Sequence, residues 1–199
     1  VSRQKFIFPM TESSVSAIIP TFNGHRLLEK HLPAVIKSLR DQDELLIIDD
    51  ASSDETTNWL RNGFALTVSS RQAFRDDHGD FVHYQGFFGS KEKKIAVTVI
   101  KNERNLRFAL TVNRAARLAA RPLLFLLNND VSPHPLAREK LARHFHSAEA
   151  EDLFAVAPLE YETESKQTLN QAKKSGRNQL FFERGLFQHR RHPDLSAGE

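Results

Sequence analysis

The chain alternates short aliphatic runs with segments whose apolar residues recur every three or four positions. The aliphatic runs are VSAIIP (15–20), ELLIIDD (44–50), KIAVTVI (94–100) and LLFLLNND (123–130). Continuous runs of this length are typical of strands that are buried on both faces of a parallel sheet. Because a helical pattern lies between each run and the next, the alternation predicts an α/β fold with a mostly parallel sheet flanked by helices.

A first helix is predicted at residues 25–40, where HRLLEKHLPAVIKSLR directs one apolar stripe toward the sheet. The stripe consists of Leu28, Leu32, Val35 and Leu39. Pro33 lies inside this segment. Because proline has no backbone N–H to donate within a helix, we expect a kink or a break near it.

Further helices are predicted after the second and third runs. Ser52 and Glu55 have the spacing of a capping box, which predicts a helix that leads toward Trp59 and Leu60. A helix from Phe108 to about residue 121 is expected to bury one face and to expose its arginine face to solvent. The buried face is predicted to contain Ala109, Val112, Ala116 and Ala119, and the solvated face Arg114, Arg117 and Arg121. A final helix is predicted at residues 136–147.

Two segments lack any sustained period. Residues 61–94 carry several aromatic residues, and we expect them to form an ordered insertion. Residues 159–199 form a polar tail, and its first part, residues 159–179, would bury little apolar surface and is expected to be a mobile surface segment. We interpret residues 1–199 as a single domain whose main part spans about residues 15–158.

Composition excludes several classes of protein. The chain has 199 residues with 40% hydrophobic and 27% charged residues, which is typical of a globular domain with a proper core. It has no run of about 18 apolar residues, the length that a membrane span needs. The apolar core of VSRQKFIFPMTESS is too short for a secretory signal. We therefore expect a cytoplasmic location. The absence of cysteine excludes disulfides and thiolate metal sites, which fits a reducing compartment. The net charge is only +3 and the arginines are scattered, which disfavours nucleic acid as a partner.

Polar residues follow three of the predicted strands. They are Thr21-Phe22-Asn23, Asp49-Asp50 and Asn128-Asn129-Asp130. The carboxyl ends of parallel strands meet at one edge of a sheet, where ligands bind in open α/β folds. We therefore expect these side chains to converge in one crevice. The alternative is that Asp49 and Asp50 merely cap the following helix and that Asp130 is a turn residue.

Four motifs in order resemble the nucleotide-sugar-binding part of family 2 inverting glycosyltransferases, which have the GT-A fold. The motifs are VSAIIPTFNG, LLIIDDASSDET, IKNERNLRFALTVNRAARLAA and LLFLLNNDVSP, which together span about residues 15–135. The resemblance implies an enzyme that transfers a sugar from a UDP-, GDP- or dTDP-sugar donor. It also implies a divalent metal, Mn²⁺ or Mg²⁺, which binds the diphosphate.

The resemblance assigns expected roles to individual residues. Asp130 would bind the metal, Asn129 the donor ribose, and Asp50 the base. The other donor-binding residues that the resemblance implies are Thr21, Phe22 and Asn23 through their main chain, and Asn105 and Asn113 near the ribose and diphosphate. Arg107 is not part of the family pattern, but it lies close enough in sequence that we expect a phosphate contact from it as well. A hard dication suits such a site, because Mg²⁺ commonly uses one or two carboxylates and completes its shell with phosphate oxygens and water.

The chain also departs from the family pattern. Arg107 stands where relatives usually have glycine, Asn113-Arg114-Ala115 replaces Asn-x-Gly, and the glycine before the last strand is replaced around Pro122. No counterpart of the family's general base is recognisable before the chain ends. We therefore expect a fragment without the acceptor part, and the catalytic residues are unknown.

The acceptor, whether a glycan, a lipid or a protein, is also unknown, and membrane contact is expected only through missing parts. The alternative function is a catalytically inactive domain that binds sugar nucleotides or acts as a scaffold. A phosphorelay receiver is disfavoured because a strand precedes the paired acids, and a dinucleotide oxidoreductase because the first strand is not followed by G-x-G-x-x-G.

Overall fold

The computed structural model describes residues 14–68, 74–89, 93–146 and 153–158, and the backbone of four strands between residues 160 and 191. Residues 1–13, for which a secretory signal was judged absent from the sequence, lie outside the described residues. The chain divides into two compact units, Val1–Ala150 and Glu151–Glu199. The candidate site residues all belong to the first unit.

The first unit contains seven strands and four helices in its described residues. In chain order these are β1 (Val15–Thr21), α1 (His25–Ser38), β2 (Glu44–Asp49), α2 (Thr56–Gly63), β3 (Thr67–Val68), β4 (Phe74–Asp76), β5 (Gly79–Gly89), β6 (Lys94–Asn102), α3 (Arg107–Leu118), β7 (Leu123–Leu126) and α4 (Ala137–Arg143). A short 3-10 turn, His144–His146, follows α4 where the sequence predicted a longer helix.

The strands form one sheet with the order β3-β5-β6-β2-β1-β7, and β4 also pairs with β5. Strands β6, β2, β1 and β7 run parallel, whereas β3, β4 and β5 of the insertion are antiparallel to their neighbours. The predicted α/β sheet is confirmed, but it is mixed because the insertion extends it with antiparallel strands. The prediction that the insertion has an ordered structure is confirmed for residues 74–89.

The order of the parallel strands creates a crevice beside β1. The chain moves outward from β1 to β2 and β6, and then returns to place β7 on the other side of β1. The connections on the two sides of β1 therefore leave in opposite directions, and ligands bind at such a switch point in open α/β sheets.

Two apolar cores cover the two faces of the sheet. Alternate residues of β1 point to opposite faces, so Val15, Ala17 and Ile19 pack in the core beneath α1 and α2. Ile18 packs in the second core with Ala115 of α3. Ala115 is fully buried there, so this chain accommodates a methyl group where the resemblance expects a glycine.

Helix α1 has the predicted apolar stripe, but the expected break is wrong. Leu28, Leu32 and Val35 are buried as predicted. Pro33 lies inside a helix that is continuous from His25 to Ser38, and its ring is exposed. Because Pro33 has no N–H, the carbonyl of Glu29, four residues before it, lacks its helical hydrogen-bond donor. Glu29 is also exposed, so water can hydrate this carbonyl.

The predicted capping box is also wrong. Helix α2 begins at Thr56, and its N-cap, Glu55, makes no side-chain cap hydrogen bond. Asp54 serves this turn instead, because its carboxylate accepts hydrogen bonds from the Thr56 N–H at 3.0 Å and the Thr56 hydroxyl at 2.5 Å. The Ser52 hydroxyl accepts a hydrogen bond from the Asn23 N–H, so it is occupied elsewhere.

The predicted faces of α3 are wrong. The buried residues of this helix are Thr111, Arg114 and Ala115. Ala109 is exposed, and Val112, Ala116 and Ala119 are only partly buried. Small alanine side chains gain little from burial, whereas the charge of Arg114 is compensated by partners described below. Arg117 is exposed and Arg121 partly buried.

The second unit contains two antiparallel strand pairs. Strand β8 (Glu160–Glu162) pairs with β9 (Lys173–Ser175), and β10 (Asn178–Glu183) pairs with β11 (Leu186–Arg191). Part of the segment predicted to be mobile is therefore strand. Within the described residues, none of the helices combines the length and the apolar character that crossing a bilayer needs.

Candidate functional site

An open cleft of about 410 Å³ lies at the carboxyl ends of the four parallel strands. Each strand contributes the residues that follow it. The lining consists of Pro20 and Thr21 at the end of β1 with Phe22 after it, Asp50 after β2, Asn105, Arg107, Phe108 and Thr111 after β6, and Asn128, Asn129 and Asp130 after β7. The sequence expectation that separate polar strand ends converge is thus met in one crevice beside the switch point.

Asp50 is the most extensively bonded residue of the cleft. Its Oδ1 accepts hydrogen bonds from Asn102 Nδ2 and the Leu106 N–H, both at 2.8 Å. Its Oδ2 accepts one from the Arg107 N–H, also at 2.8 Å. A carboxylate oxygen can accept two hydrogen bonds, so Oδ2 retains capacity for a further donor. The carboxylate joins the end of β2 to the start of α3.

Asp49 has a different role from that of its neighbour. Its carboxylate is fully buried and accepts hydrogen bonds from the Ser52 N–H at 2.8 Å and from the Thr57 hydroxyl. These bonds organise the turn between β2 and α2. The capping alternative considered from the sequence therefore describes Asp49, whereas Asp50 faces the cleft.

The ends of β1 and β7 are held together by a side-chain contact. Asn129 Nδ2 donates a hydrogen bond to the Thr21 hydroxyl at 2.9 Å. Gly24 lies directly against this pair. A Cβ atom at Gly24 would lie 2.0 Å from Thr21 Oγ1 and 2.6 Å from Asn129 Nδ2, so a larger residue there would displace one of these side chains. The main chain of Thr21 is also engaged, because its carbonyl accepts a hydrogen bond from the Asp50 N–H at 2.8 Å.

Asn23 stabilises the neighbouring loop. Its Oδ1 accepts hydrogen bonds from the N–H groups of Ser53 and Asp54, at 2.9 and 3.4 Å. Its backbone has a φ of 49°, which asparagine tolerates better than most residues. The side chain thereby fixes the β2–α2 loop to the end of β1.

Arg107 starts α3 in a left-handed conformation, with a φ of 65°. Its N–H donates to Asp50 Oδ2 and to Asn105 Oδ1, the latter at 3.0 Å. An L-residue in this region costs about 1–2 kcal/mol relative to the right-handed region. The resemblance expects glycine at this position, and the structure keeps the backbone conformation that favours glycine while placing an exposed arginine side chain at the cleft.

The residues after β7 offer oxygen ligands. Asn128 and Asp130 are exposed, and their loop lies near His31 of α1, whose Nδ1 is 2.8 Å from the Ser132 hydroxyl. Burial lowers the pKa of His31, Lys30 adds to this effect, and the negative charge of Asp130 opposes it. No group of three or more His, Asp or Glu side chains within the described residues could hold a metal ion. Asp130 alone, with amide oxygens nearby, suits a Mg²⁺ or Mn²⁺ ion that takes its other ligands from phosphate and water.

Most of the predicted donor-binding residues line the cleft. Those that do are Thr21, Phe22, Asp50, Asn105, Arg107, Asn129 and Asp130. Asn23 lines a neighbouring depression instead, and Asn113 is an exposed residue of α3 outside the lining. Sequence reasoning missed Phe108, Thr111 and the buried Asn102. Asn102 could have been found by the rule that identified the others, because it is the polar residue at the end of β6.

Part of the chain matches a known protein family. Residues 16–73 match the family described as glycosyl transferase family 2. This segment overlaps the first two motifs on which the resemblance rests, so the resemblance seen in the sequence is confirmed there. No curated protein matches the chain.

Solved structures of glycosyltransferases are similar to the chain over about a third of their own length. The mannosyltransferase PcManGT from Pyrobaculum calidifontis, in complex with GDP-Man and Mn²⁺, is 22% identical with a TM-score of 0.48, over 72% of this chain and 35% of that one. S. aureus TarS 1–349 in complex with UDP-GlcNAc is 16% identical with a TM-score of 0.48, over 66% of this chain and 31% of that one.

Proposed function

We propose that the cleft binds the nucleoside diphosphate of a nucleotide-sugar donor, and that the chain is the donor-binding part of an inverting glycosyltransferase. The observation that carries this proposal is that Asp50 and Asp130 line the same cleft although eighty residues separate them in the chain. One carboxylate is buried and strongly bonded, and the other is exposed. The buried carboxylate therefore suits a base, and the exposed one suits a metal-bound diphosphate.

The Asp50 end suits a nucleobase. Oδ2 of Asp50 can accept a hydrogen bond from a base N–H, as the resemblance implies. Phe22 and Phe108 line the same cleft with 51% and 56% of their surface exposed. Exposed aromatic faces of this kind provide stacking platforms for bases.

The Asp130 end suits a diphosphate with its cation. Asp130 would hold a divalent cation, and Asn128 and Asn129 offer further oxygen atoms nearby. A cation bound there would disperse the negative charge that develops on the leaving diphosphate. The Arg107 guanidinium adds a fixed positive charge that can pair with phosphate oxygens. Asn129 would reach the ribose, and Asn105 would lie beside it.

The chemistry of transfer needs groups beyond these. An inverting transfer needs a base that deprotonates the acceptor hydroxyl, and none of the described residues is assigned that role here. The acceptor hydroxyl would belong to a glycan, a lipid or a protein. A domain that binds donors without turnover is the second outcome that the test below distinguishes.

A thermal-shift screen tests the proposal. UDP-, GDP- and dTDP-sugars are each added to the 199-residue chain with and without Mn²⁺. We expect one nucleotide to stabilise the protein in the presence of metal, by about 2.7 kcal/mol at 100 times its dissociation constant and hence by about 5–10 °C. The effect should vanish in Asp130→Ala and persist in Glu103→Ala, which removes an exposed carboxylate from a loop residue outside the cleft lining.

The screen can also contradict the proposal or favour its alternative. A flat response to every nucleotide, with and without metal, contradicts the proposal. Stabilisation by nucleotide and metal, without sugar transfer to any acceptor in the full-length protein, favours the inactive binding domain.

A further inference from the structure

Arg114 is an arginine buried in the interior of the first unit, with a side chain that is only 2% exposed. Its Nε and Nη2 donate to the two carboxylate oxygens of Asp76, at 2.8 and 2.5 Å, which is a bidentate ion pair. Nη2 also donates to the Gly79 carbonyl at 3.2 Å, and the guanidinium carbon lies 4.4 Å from the centre of the Phe81 ring. The insertion therefore holds this guanidinium in one orientation.

The same guanidinium reaches the cleft through one intermediate residue. Arg114 Nη1 donates to Asn102 Oδ1 at 2.5 Å, and Asn102 Nδ2 donates to Asp50 Oδ1 at 2.8 Å. Asp76, Arg114, Asn102 and Asp50 thus form a continuous chain of hydrogen bonds, which we call the arginine network. Both Arg114 and Asn102 are buried, so water does not compete for these bonds.

The direction of the hydrogen bonds in the arginine network fixes the orientation of the Asn102 amide. A guanidinium carries only donors, so the amide oxygen must face Arg114. The amide NH₂ must then face Asp50, where it donates to a carboxylate. Without Arg114, the buried amide oxygen of Asn102 would lose its donor, so the amide would shift toward another partner and would no longer hold Asp50 Oδ1 in place.

We propose that Arg114 is a positioning residue for nucleobase recognition: anchored by Asp76, it sets the Asn102 amide and thereby orients the Asp50 carboxylate toward the base. This inference rests on the proposed function, because it assigns the base to Asp50. It gives the insertion at residues 61–94 a part in donor recognition. A residue that only supported the fold would affect every ligand of the cleft alike.

The test compares ligands with and without a base. The nucleotide that stabilises the wild-type chain and inorganic pyrophosphate are each titrated calorimetrically with Mn²⁺. In Arg114→Met we expect the nucleotide to bind about 10- to 100-fold more weakly, the effect of removing a hydrogen-bond partner from a charged network. Binding of pyrophosphate should change less than twofold. Arg114→Lys, which keeps the charge without the bidentate fork, should lie between the two.

Two further variants keep the test informative if Arg114→Met folds poorly. Asp76→Asn removes the anchor at a partly exposed position and should weaken nucleotide binding in the same ligand-dependent manner. Arg138→Met is the matched control, because Arg138 is equally buried in an ion pair with Asp43, before the start of β2 and away from the cleft lining. We expect it to lower stability and to leave the nucleotide affinity unchanged.

The outcomes separate this inference from the proposed function. Nucleotide binding by wild type that is equally strong in Arg114→Met and Asp76→Asn overturns the inference alone. Equal weakening of nucleotide and pyrophosphate also overturns it, because the role is then structural. No nucleotide binding by the wild-type chain overturns the proposed function and this inference with it.

Discussion

Asn129 donates a 2.9 Å hydrogen bond to the hydroxyl of Thr21, which fastens the end of β7 to the end of β1 at the switch point of the sheet. Gly24 packs so closely against this pair that no Cβ atom fits. The geometry of the cleft therefore depends on a glycine that is not itself part of the cleft lining.

Gly24→Ala should destabilise the protein because the added methyl group would displace Thr21 or Asn129. Overpacking of this kind typically costs about 1–3 kcal/mol, which urea unfolding measures. Gly63→Ala is the matched control, since nothing lies within 4 Å of a Cβ atom there, and it should be neutral or slightly stabilising. Equal effects of the two substitutions would contradict this account of Gly24.

Arg107 combines an unfavourable backbone conformation with a side chain at the cleft. Arg107→Gly and Arg107→Ala both remove the charge, but only glycine relieves the left-handed strain. Arg107→Gly should therefore be more stable than Arg107→Ala by about 1 kcal/mol in urea unfolding. Both should bind the nucleotide equally and more weakly than wild type. A glycine variant that is the less stable of the two would show that the strain is absent.

Asp43 anchors the opposite end of the parallel strands. It is fully buried and accepts hydrogen bonds from the Val15 N–H at 2.8 Å, the Arg40 N–H at 2.7 Å and the Arg138 guanidinium at 2.6 Å. Asp43→Ala leaves the buried charge of Arg138 without this partner and should cost about 3–5 kcal/mol in unfolding free energy. Asp41→Ala, at an exposed neighbour, should cost no more than about 0.5 kcal/mol. A loss below about 1 kcal/mol in Asp43→Ala would contradict this role.

His83 makes stability depend on pH. Burial lowers the pKa of His83, and the nearby Arg114 charge adds to this effect. The unfolded chain, in which the pKa is near its ordinary value of about 6.5, then binds more protons than the folded chain in the window just below that pH. The free energy of unfolding should fall as the pH drops from about 7.5 through this window.

The matching variant is His83→Gln, in which the free energy of unfolding should fall less as the pH drops. His31, whose pKa is also lowered, contributes equally in both proteins, so the difference isolates His83. Urea unfolding at several pH values measures both curves. Identical pH dependence in the two proteins would mean that His83 has the same pKa in the folded and unfolded chains.

The sequence was sufficient for the parallel strands and for the convergence of their polar ends. Both follow from local patterns, because aliphatic runs specify buried strands and a parallel arrangement brings their ends to one edge. The sequence could not distinguish Asp49 from Asp50. Their roles depend on the direction in which each side chain leaves the end of β2, which only the structure determines.

The burial of Arg114 could not be predicted. Its partner Asp76 lies 38 residues earlier in an insertion without periodicity, so no local signal connects them. An arginine on a helix is normally solvated, and the alanine positions of α3 offered a more conventional face. The start of α2 was mispredicted for a similar reason. The N–H groups of the β2–α2 loop bind the side chains of Asp49, Asn23 and Asp54. The Ser52 hydroxyl instead accepts a hydrogen bond from the Asn23 N–H.

The central claim is that a cation at Asp130 connects the chain to a diphosphate whose base is bound at Asp50. Calorimetric titration of the preferred nucleoside diphosphate into wild type, Asp130→Asn and Asp50→Asn, each with and without Mn²⁺, tests it most directly. We predict tight binding by wild type only with metal, loss of the metal dependence in Asp130→Asn, and weaker but still metal-dependent binding in Asp50→Asn. Binding by wild type that is indifferent to metal and to both substitutions would contradict the account.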